Sequence, residues 1–200
     1  MNGELLDVEL PWQPDQGNGV AGKLITEALK RIDCFRVEQS RIPSFETSNF
    51  FAAAGILQSV MACDLVRGKR FCEWGSGFGV VTCLAAQYGF EACGIEIESV
   101  LVEVAKKLAR DYDLNCEFYS GSYLPKGAFS GDINPSQLDK SLGFSPYDFD
   151  VIYAYPWPAE LDLLDKLFCR FAVSGTLLIS YHGGGRFRVQ RRVGASPHIA

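Results

Sequence analysis

The apolar positions of this 200-residue chain recur with two periods, and the two periods alternate along it. Ala21, Leu24, Ile25, Ala28, Leu29 and Ile32 recur at helical spacing and predict a helix that ends near Asp33. Residues 1–19 hold Pro11, Pro14 and glycines with no period, and they read as an irregular arm. Residues 34–46 read as a connecting loop. Thr47, Ser48 and Asn49 are candidate N-caps for a second helix. Its stripe is Phe50, Ala54, Leu57, Met61 and Leu65, and Gly68 closes it.

Strands then alternate with helices. Residues 71–74 are a short apolar run between glycines and predict a strand. Residues 79–88 predict a helix that Gly89 ends, and residues 91–97 a second strand. Val100, Leu101, Val104, Ala105, Leu108 and Ala109 form the stripe of the next helix, with Lys106, Lys107 and Arg110 solvated. Residues 116–119 predict a third strand, and residues 149–155 (FDVIYAY) a fourth by their β-branched and aromatic content. Pro158 fits the first turn of a helix, with Glu160 and Asp162 at its positive end. Residues 176–181 predict a fifth strand. Between the third and fourth strands, residues 120–147 are irregular, with room for a short helix over 136–142. A stretch that long inside a compact domain reads as functional or mobile.

Five alternations predict an α/β fold: a doubly wound, mostly parallel sheet with right-handed helical crossovers and both faces covered. Ligands of such sheets bind at the carboxyl ends of strands, near the switch point. A single domain is expected, with an N-terminal arm and helix over 1–46 ahead of an α/β core over 47–200.

Composition narrows the functional classes. The hydrophobic fraction is 48% and the charged fraction 22%, ordinary for a soluble globular protein. The net charge of −5 argues against a nucleic-acid binder that relies on a broad basic field. The seven cysteines have no metal-knuckle spacing and read as buried free thiols in a reducing compartment. The acidic start MNGELLDVELPW lacks the order of a signal peptide. No apolar run approaches the ~20 residues of a membrane span. A cytoplasmic protein is expected. The two histidines have no acid spaced as a fellow ligand, so no metal site is expected.

The central unit is residues 68–98, GKRFCEWGSGFGVVTCLAAQYGFEACGIEIE. Its turn, Glu73-Trp74-Gly75-Ser76-Gly77-Phe78-Gly79, has glycines where a backbone takes positive φ or a ligand approaches it. A dinucleotide fingerprint wants glycines at the first, third and sixth positions, but the sixth from Gly75 is Val80. The spacing is G-x-G-x-G, with an acid two residues ahead. Glu96 lies 21 residues after Gly75 at the end of the second strand, where a carboxylate accepts both hydroxyls of a ribose. Such bonds contribute roughly 1.5–3 kcal/mol each. NAD enzymes place a carboxylate there too, so Glu96 marks a nucleoside ligand without choosing between cofactors.

The turn E-x-G-S-G-F-G resembles motif I of the class I S-adenosylmethionine-dependent methyltransferases, over roughly residues 68–182. The resemblance implies that Glu73 helps hold the methionine part of S-adenosyl-L-methionine. It implies that Gly75, Ser76, Gly77 and Gly79 lie against the amino acid and ribose, and that Glu96 binds the ribose. Ile97 is placed to pack on the adenine. The family commonly has an acid after the glycine that Gly121 matches; this chain has Ser122, which offers a weaker hydrogen bond to the adenine amino group. At the fourth strand's tip, amino-methylating members have Asn or Asp, Pro, Pro, aromatic. Here Tyr155-Pro156-Trp157-Pro158 stands there, which disfavours nucleobase methylation and loosely resembles a group acting on protein lysines. Tyr155 and Trp157 become candidate catalytic residues, facing the sulfonium or an alkylammonium acceptor by cation–π attraction of about 0.5–2 kcal/mol. The same aromatics also read as a packed turn closing the core.

The family usually finishes with two more strands, the last antiparallel. Eighteen residues follow His182 and hold one strand candidate, 187–193, so a sheet shortened at its C-terminus is expected. His182 is a possible base. Arg186, Arg188, Arg191 and Arg192 read as a solvated tail or as contacts for an anionic surface. Three functions follow: a methyltransferase whose acceptor is a protein lysine in preference to a small molecule, a non-catalytic S-adenosylmethionine-binding module, and an NAD-dependent oxidoreductase.

Overall fold

Parallel strands cannot be joined by tight hairpins, and the long apolar stripes of this chain supply the crossovers they need. The structure, a computed structural model, describes residues 3–38, 42, 45–66, 68–131, 133–134 and 137–195. Its elements in order are β1 (Glu4–Asp7), α1 (Val20–Glu38), α2 (Phe50–Ala62), β2 (Arg70–Trp74), α3 (Val80–Gln87), β3 (Glu91–Glu96), α4 (Ser99–Asp111), β4 (Cys116–Ser120), β5 (Val151–Ala154), α5 (Leu161–Phe171), β6 (Leu177–Tyr181) and β7 (Phe187–Val193). Among the described residues the strands form one seven-stranded sheet in the order β1-β7-β6-β5-β2-β3-β4. β2, β3, β4, β5 and β6 pair in parallel. The chain winds outward from β2 to β4, then returns to place β5 on β2's other side. The switch point is therefore between β2 and β5, where a crevice opens at the carboxyl ends. None of the described helices is long and apolar enough to cross a membrane.

The two faces of the sheet are covered by different means. One face packs on apolar residues of α1, α2, α3 and α4, around Phe71, Tyr153 and Ile179. The other packs on Leu164, Leu167, Phe168 and Phe171 of α5 and on the irregular residues after β4. No α-helix makes the β4-to-β5 crossover among the described residues. Aromatic packing takes its place: Tyr123 stacks on Trp74 at 4.8 Å, and Tyr147 meets Trp74 edge-on at 5.2 Å. Trp74 Nε1–H donates to the Pro146 carbonyl at 3.0 Å, and Tyr147 Oη–H to the Tyr123 carbonyl at 2.9 Å. Of the helix expected over 136–142, the structure has a short 3-10 turn at Lys140–Leu142; Ser136 lies outside the described residues.

Three boundaries differ from the sequence reading. α1 runs past Asp33 to Glu38, because its second half still finds partners: Arg31 pairs with Glu27 and Asp111, and Phe35 packs edge-on against Phe78. α2 ends at Ala62 rather than at Gly68; Cys63 caps it and Asp64 takes the left-handed turn at φ +50°. The sheet is not shortened. β7 is antiparallel to β6, and β1, from the supposed irregular arm, is antiparallel to β7. β1 therefore runs parallel to the central strands and fills the last position from the N-terminal side.

Residues 8–17 carry the chain from β1 across the sheet to α2. Asp15 N–H donates to the Phe51 carbonyl at 2.9 Å, and a Cβ on Gly55 would lie 1.9 Å from the Gln13 carbonyl oxygen. In an isolated helix Gly→Ala adds about 1 kcal/mol of stability. Here the Gln13 backbone must move away, and overpacking of that kind costs about 1–3 kcal/mol. Steric exclusion should win: Gly55→Ala is expected to lower the urea midpoint, whereas a higher midpoint would show that the N-terminal segment is not seated on α2.

Candidate functional site

At the carboxyl ends of β2, β3 and β5 lies a cavity of about 1090 Å³. Its walls are the turn after β2, the tips of β3 and β5, residues 45–48 ahead of α2, residues 121–124 after β4, and the β6–β7 hairpin. The turn supplies almost no side chains, so its shape is set from outside. Gly75 and Ser76 N–H both donate to the Ile95 carbonyl, at 2.9 and 3.0 Å. Gly75 and Gly79 take φ of +73° and +71°, which an L side chain resists. A Cβ on Gly75 would meet nothing within 4 Å, so this backbone borders open space. A Cβ on Gly79 would strike the Phe118 ring at 2.4 Å and Ala105 at 2.7 Å. Gly79 is therefore required by packing, and it does not line the cavity. The other nine residues expected at the site all do.

Two carboxylates brace the turn. Glu73, at the end of β2, is 6% exposed. Its Oε2 accepts from Thr82 N at 2.8 Å and Thr82 Oγ1 at 2.6 Å, satisfying a donor of α3's first turn where Gly79 has no side chain to cap it. Burial pushes the Glu73 carboxyl up to about 8, against the Thr82 hydrogen bonds, and the charge of Glu96 adds to the rise. Glu96 Oε2 accepts from Gly77 N at 2.8 Å and Oε1 from Glu98 N at 3.0 Å. A carboxylate oxygen has two lone pairs, so each retains one for a ligand donor. Ser76 Oγ is buried beside them with no hydrogen-bond partner. Ile97 projects at 70% exposure over the same wall. Ser122 is engaged locally: its Oγ accepts from Leu124 N at 3.1 Å, and its N–H donates to Asp139 Oδ2 at 3.4 Å.

The half of the cavity beyond the turn is aromatic and polar. Tyr155 packs edge-on against Tyr181 at 4.7 Å. Trp157 is 43% exposed, and its N–H donates to Glu160 Oε2 at 3.1 Å. Tyr153 is buried with its hydroxyl bonded to Ser48. His182 Nε2 lies 2.8 Å from Ser180 Oγ. Burial, then Arg188, holds the His182 pKa below its usual value. The expected site residues did not include Ser48, Tyr153, Phe45 or Thr82. Phe45 covers the turn, its ring tilted against Phe78 at 5.3 Å. Ser48 and Phe45 had no signal in the sequence, since only the topology brings their segment to the strand tips. Tyr153 had one: it alternates with Val151 and Tyr155 on one face of the fourth strand.

Glu73 gives a pH dependence with a definite sign. In the fold its carboxyl keeps a proton up to about pH 8, while an ordinary glutamate carboxyl has lost it above about 4.5. The folded state binds the extra proton between these values, so this group's contribution to stability falls as pH rises through that window, by a few kcal/mol in order of magnitude. Glu73→Gln keeps an acceptor for Thr82 and removes the charge. Its melting temperature should exceed that of the parent at pH 8.5, and the gap should shrink towards pH 5. A gap independent of pH would show that Glu73 is ionised in the fold throughout.

No family model and no curated protein matches the chain. Solved structures do. A methyltransferase from Geobacter sulfurreducens superposes with a TM-score of 0.55 at 15% identity, over 86% of this chain and 90% of its own. An O-methyltransferase from Bacillus cereus, in complex with SAH, has a TM-score of 0.52 at 17% identity, over 79% of this chain and 65% of its own. A tRNA (uracil-54, C5)-methyltransferase from Pyrococcus abyssi, in complex with S-adenosyl-L-homocysteine, has a TM-score of 0.44 at 13% identity, over 76% of this chain; the match spans 40% of that protein's length. At such identities the likeness is one of fold, and the fold is the Rossmann-like one of the class I methyltransferases.

Proposed function

We propose that this protein binds S-adenosyl-L-methionine and transfers its methyl group to an acceptor held at the tips of β5 and β6. One observation carries the reading: a glycine turn bordering open space and the Glu96 carboxylate line one cavity, with the unpartnered Ser76 hydroxyl buried beside them. A nucleoside with an amino-acid tail fits that donor set. Glu96 would hold the ribose hydroxyls, Ser76 and the Gly75–Gly77 backbone the amino-acid part, and Ile97 the adenine. Glu73 would act mainly through the turn that it braces. Val80, 1% exposed where a dinucleotide fold needs a glycine, argues against NAD.

The bound cofactor would supply an electrophilic methyl on a sulfonium. The chain's own part is to align the acceptor and exclude water. Tyr155 and Trp157, fixed by Pro156 and Pro158, form an aromatic lip for that purpose. Such a lip suits a protein lysine or a small molecule. Arg186 lines the same cavity and opposes an incoming ammonium, so a small molecule is the better fit. A module that binds the cofactor without turnover is the competing reading, and methyl consumption with protein, RNA and small-molecule acceptors separates the two.

Calorimetry tests the donor. S-adenosylhomocysteine should bind and NAD should not; binding of NAD alone would overturn the proposal. Glu96→Ala should weaken S-adenosylhomocysteine at least about tenfold, the loss of one or more hydrogen bonds to a charged acceptor. Glu96→Gln keeps an acceptor for Gly77 N–H and should fall between the two with an unchanged melting temperature. Equal affinity in all three would place the nucleoside elsewhere.

A further inference from the structure

The acceptor half of the cavity carries a guanidinium with no carboxylate partner among the described residues. Residues 183–185 are three consecutive glycines at φ of +75°, +58° and +77°, and they turn β6 into β7 without a side chain. His182 N–H donates to the Arg186 carbonyl at 2.9 Å, and Arg186 N–H to the Gly183 carbonyl at 3.1 Å. The register pairs Tyr181 with Phe187 and Ser180 with Arg188. His182 therefore stands opposite Arg186, and both share a face with Ser180 and Arg188. Arg188 is occupied, by Asp7 at 2.8 Å and Asp165 at 3.5 Å. Arg186 is exposed on the cavity wall, and among the described residues no ion pair holds it.

The acids of the same cavity are committed elsewhere or stand apart. Glu73 and Glu96 brace the turn, Glu98 precedes α4, and Glu160 accepts from Trp157 N–H. Glu46 belongs to the segment ahead of α2, on the side of Tyr155. His182 is disposed to be neutral near pH 7, between Arg186 and Arg188 on β7 and Asp165 on α5, and it offers a hydrogen bond rather than a second charge. The Tyr155 hydroxyl borders the same hairpin, 3.8 Å from where a Cβ on Gly183 would stand, and Trp157 lines the same cavity.

We infer that the acceptor is a small molecule with an ionised carboxylate on a flat apolar body, the carboxylate docking on Arg186 beside His182 and the body lying against Tyr155 and Trp157. This inference rests on the methyl-transfer reading for the word acceptor, and on the cavity alone for the binding. A guanidinium presents its donors as a planar fork that matches a carboxylate. The glycine turn gives the ligand access from the rim, because no side chain of residues 183–185 stands in the way.

Benzoate is the probe, with benzamide as its neutral counterpart and phenyl phosphate as the competing oxyanion. Each is titrated calorimetrically into the full chain at pH 7, with and without saturating S-adenosylhomocysteine. Benzoate should bind saturably at millimolar concentration and more tightly than either comparator. Arg186→Gln should weaken it at least about tenfold. The same variant should leave the melting temperature and S-adenosylhomocysteine affinity unchanged, and Arg186→Lys should restore part of the benzoate binding. Equal binding of benzamide, indifference to Arg186→Gln, or no benzoate binding overturns the inference. Tighter phenyl phosphate overturns the choice of carboxylate. If benzoate binds through Arg186 while S-adenosylhomocysteine does not bind, the cofactor proposal fails and the anion site stands.

Discussion

The hydrogen bond from the Gly77 N–H to the Glu96 carboxylate ties the turn after β2 to the tip of β3. A run of glycines cannot hold its own shape, because it has no side chains to pack and many backbone states to lose. Its geometry must come from neighbours. The Ile95 carbonyl takes two N–H groups of the turn, Glu96 takes a third, and Glu73 takes the first free donors of α3. All of these depend on the register that sets Trp74 opposite Ile95. A slip of one residue would turn Glu96 to the other face of the sheet and remove the turn's support along with the cavity wall.

The same arrangement brings two carboxylates close together in a dry place. Glu73 feels burial first and Glu96 only later among the causes of its raised pKa. Glu73 thus favours its neutral form near pH 7, while Glu96, at 8% exposure, is stabilised by two backbone N–H groups. Their environments separate their roles. One is a structural acceptor inside the strand-to-helix join. The other is an acceptor on the cavity wall with lone pairs to spare.

This central unit was legible because its local signals agree: a short apolar run, glycines at a distinctive spacing, an acid ahead of them and an acid at the next strand's end. Other parts were not. β1 is four residues on a sheet edge, too short to show an alternation, and its pairing with β7 spans almost the whole chain. The β4–β5 crossover has no period because aromatic rings, among them Tyr123 and Tyr147, do the covering that a helix stripe would do. Gly79 read as a ligand contact, yet Phe118 and Ala105 explain it, and neither is near it in sequence. The half of the cavity beyond the turn draws Ser48, Tyr153 and Arg186 from three segments, so only the topology assembles it.

The closing of the sheet and the chemistry of the acceptor rim are one feature. Because β1 pairs with β7, Asp7 comes within 2.8 Å of Arg188 and neutralises it together with Asp165. Arg186, two residues earlier on the same face, lies where β7 leaves the hairpin and β1 no longer reaches: β1's pairing with β7 begins at Gln190 and runs away from the cavity. One arginine is thereby fixed as part of the scaffold and the next is left to the cavity. Had the last strand been built from the C-terminal side, no Asp7 would stand there, and two mobile guanidinium groups would compete for one anion. The N-terminal strand thus does more than complete the sheet: it separates a structural charge from a free one at the site where an acceptor would enter.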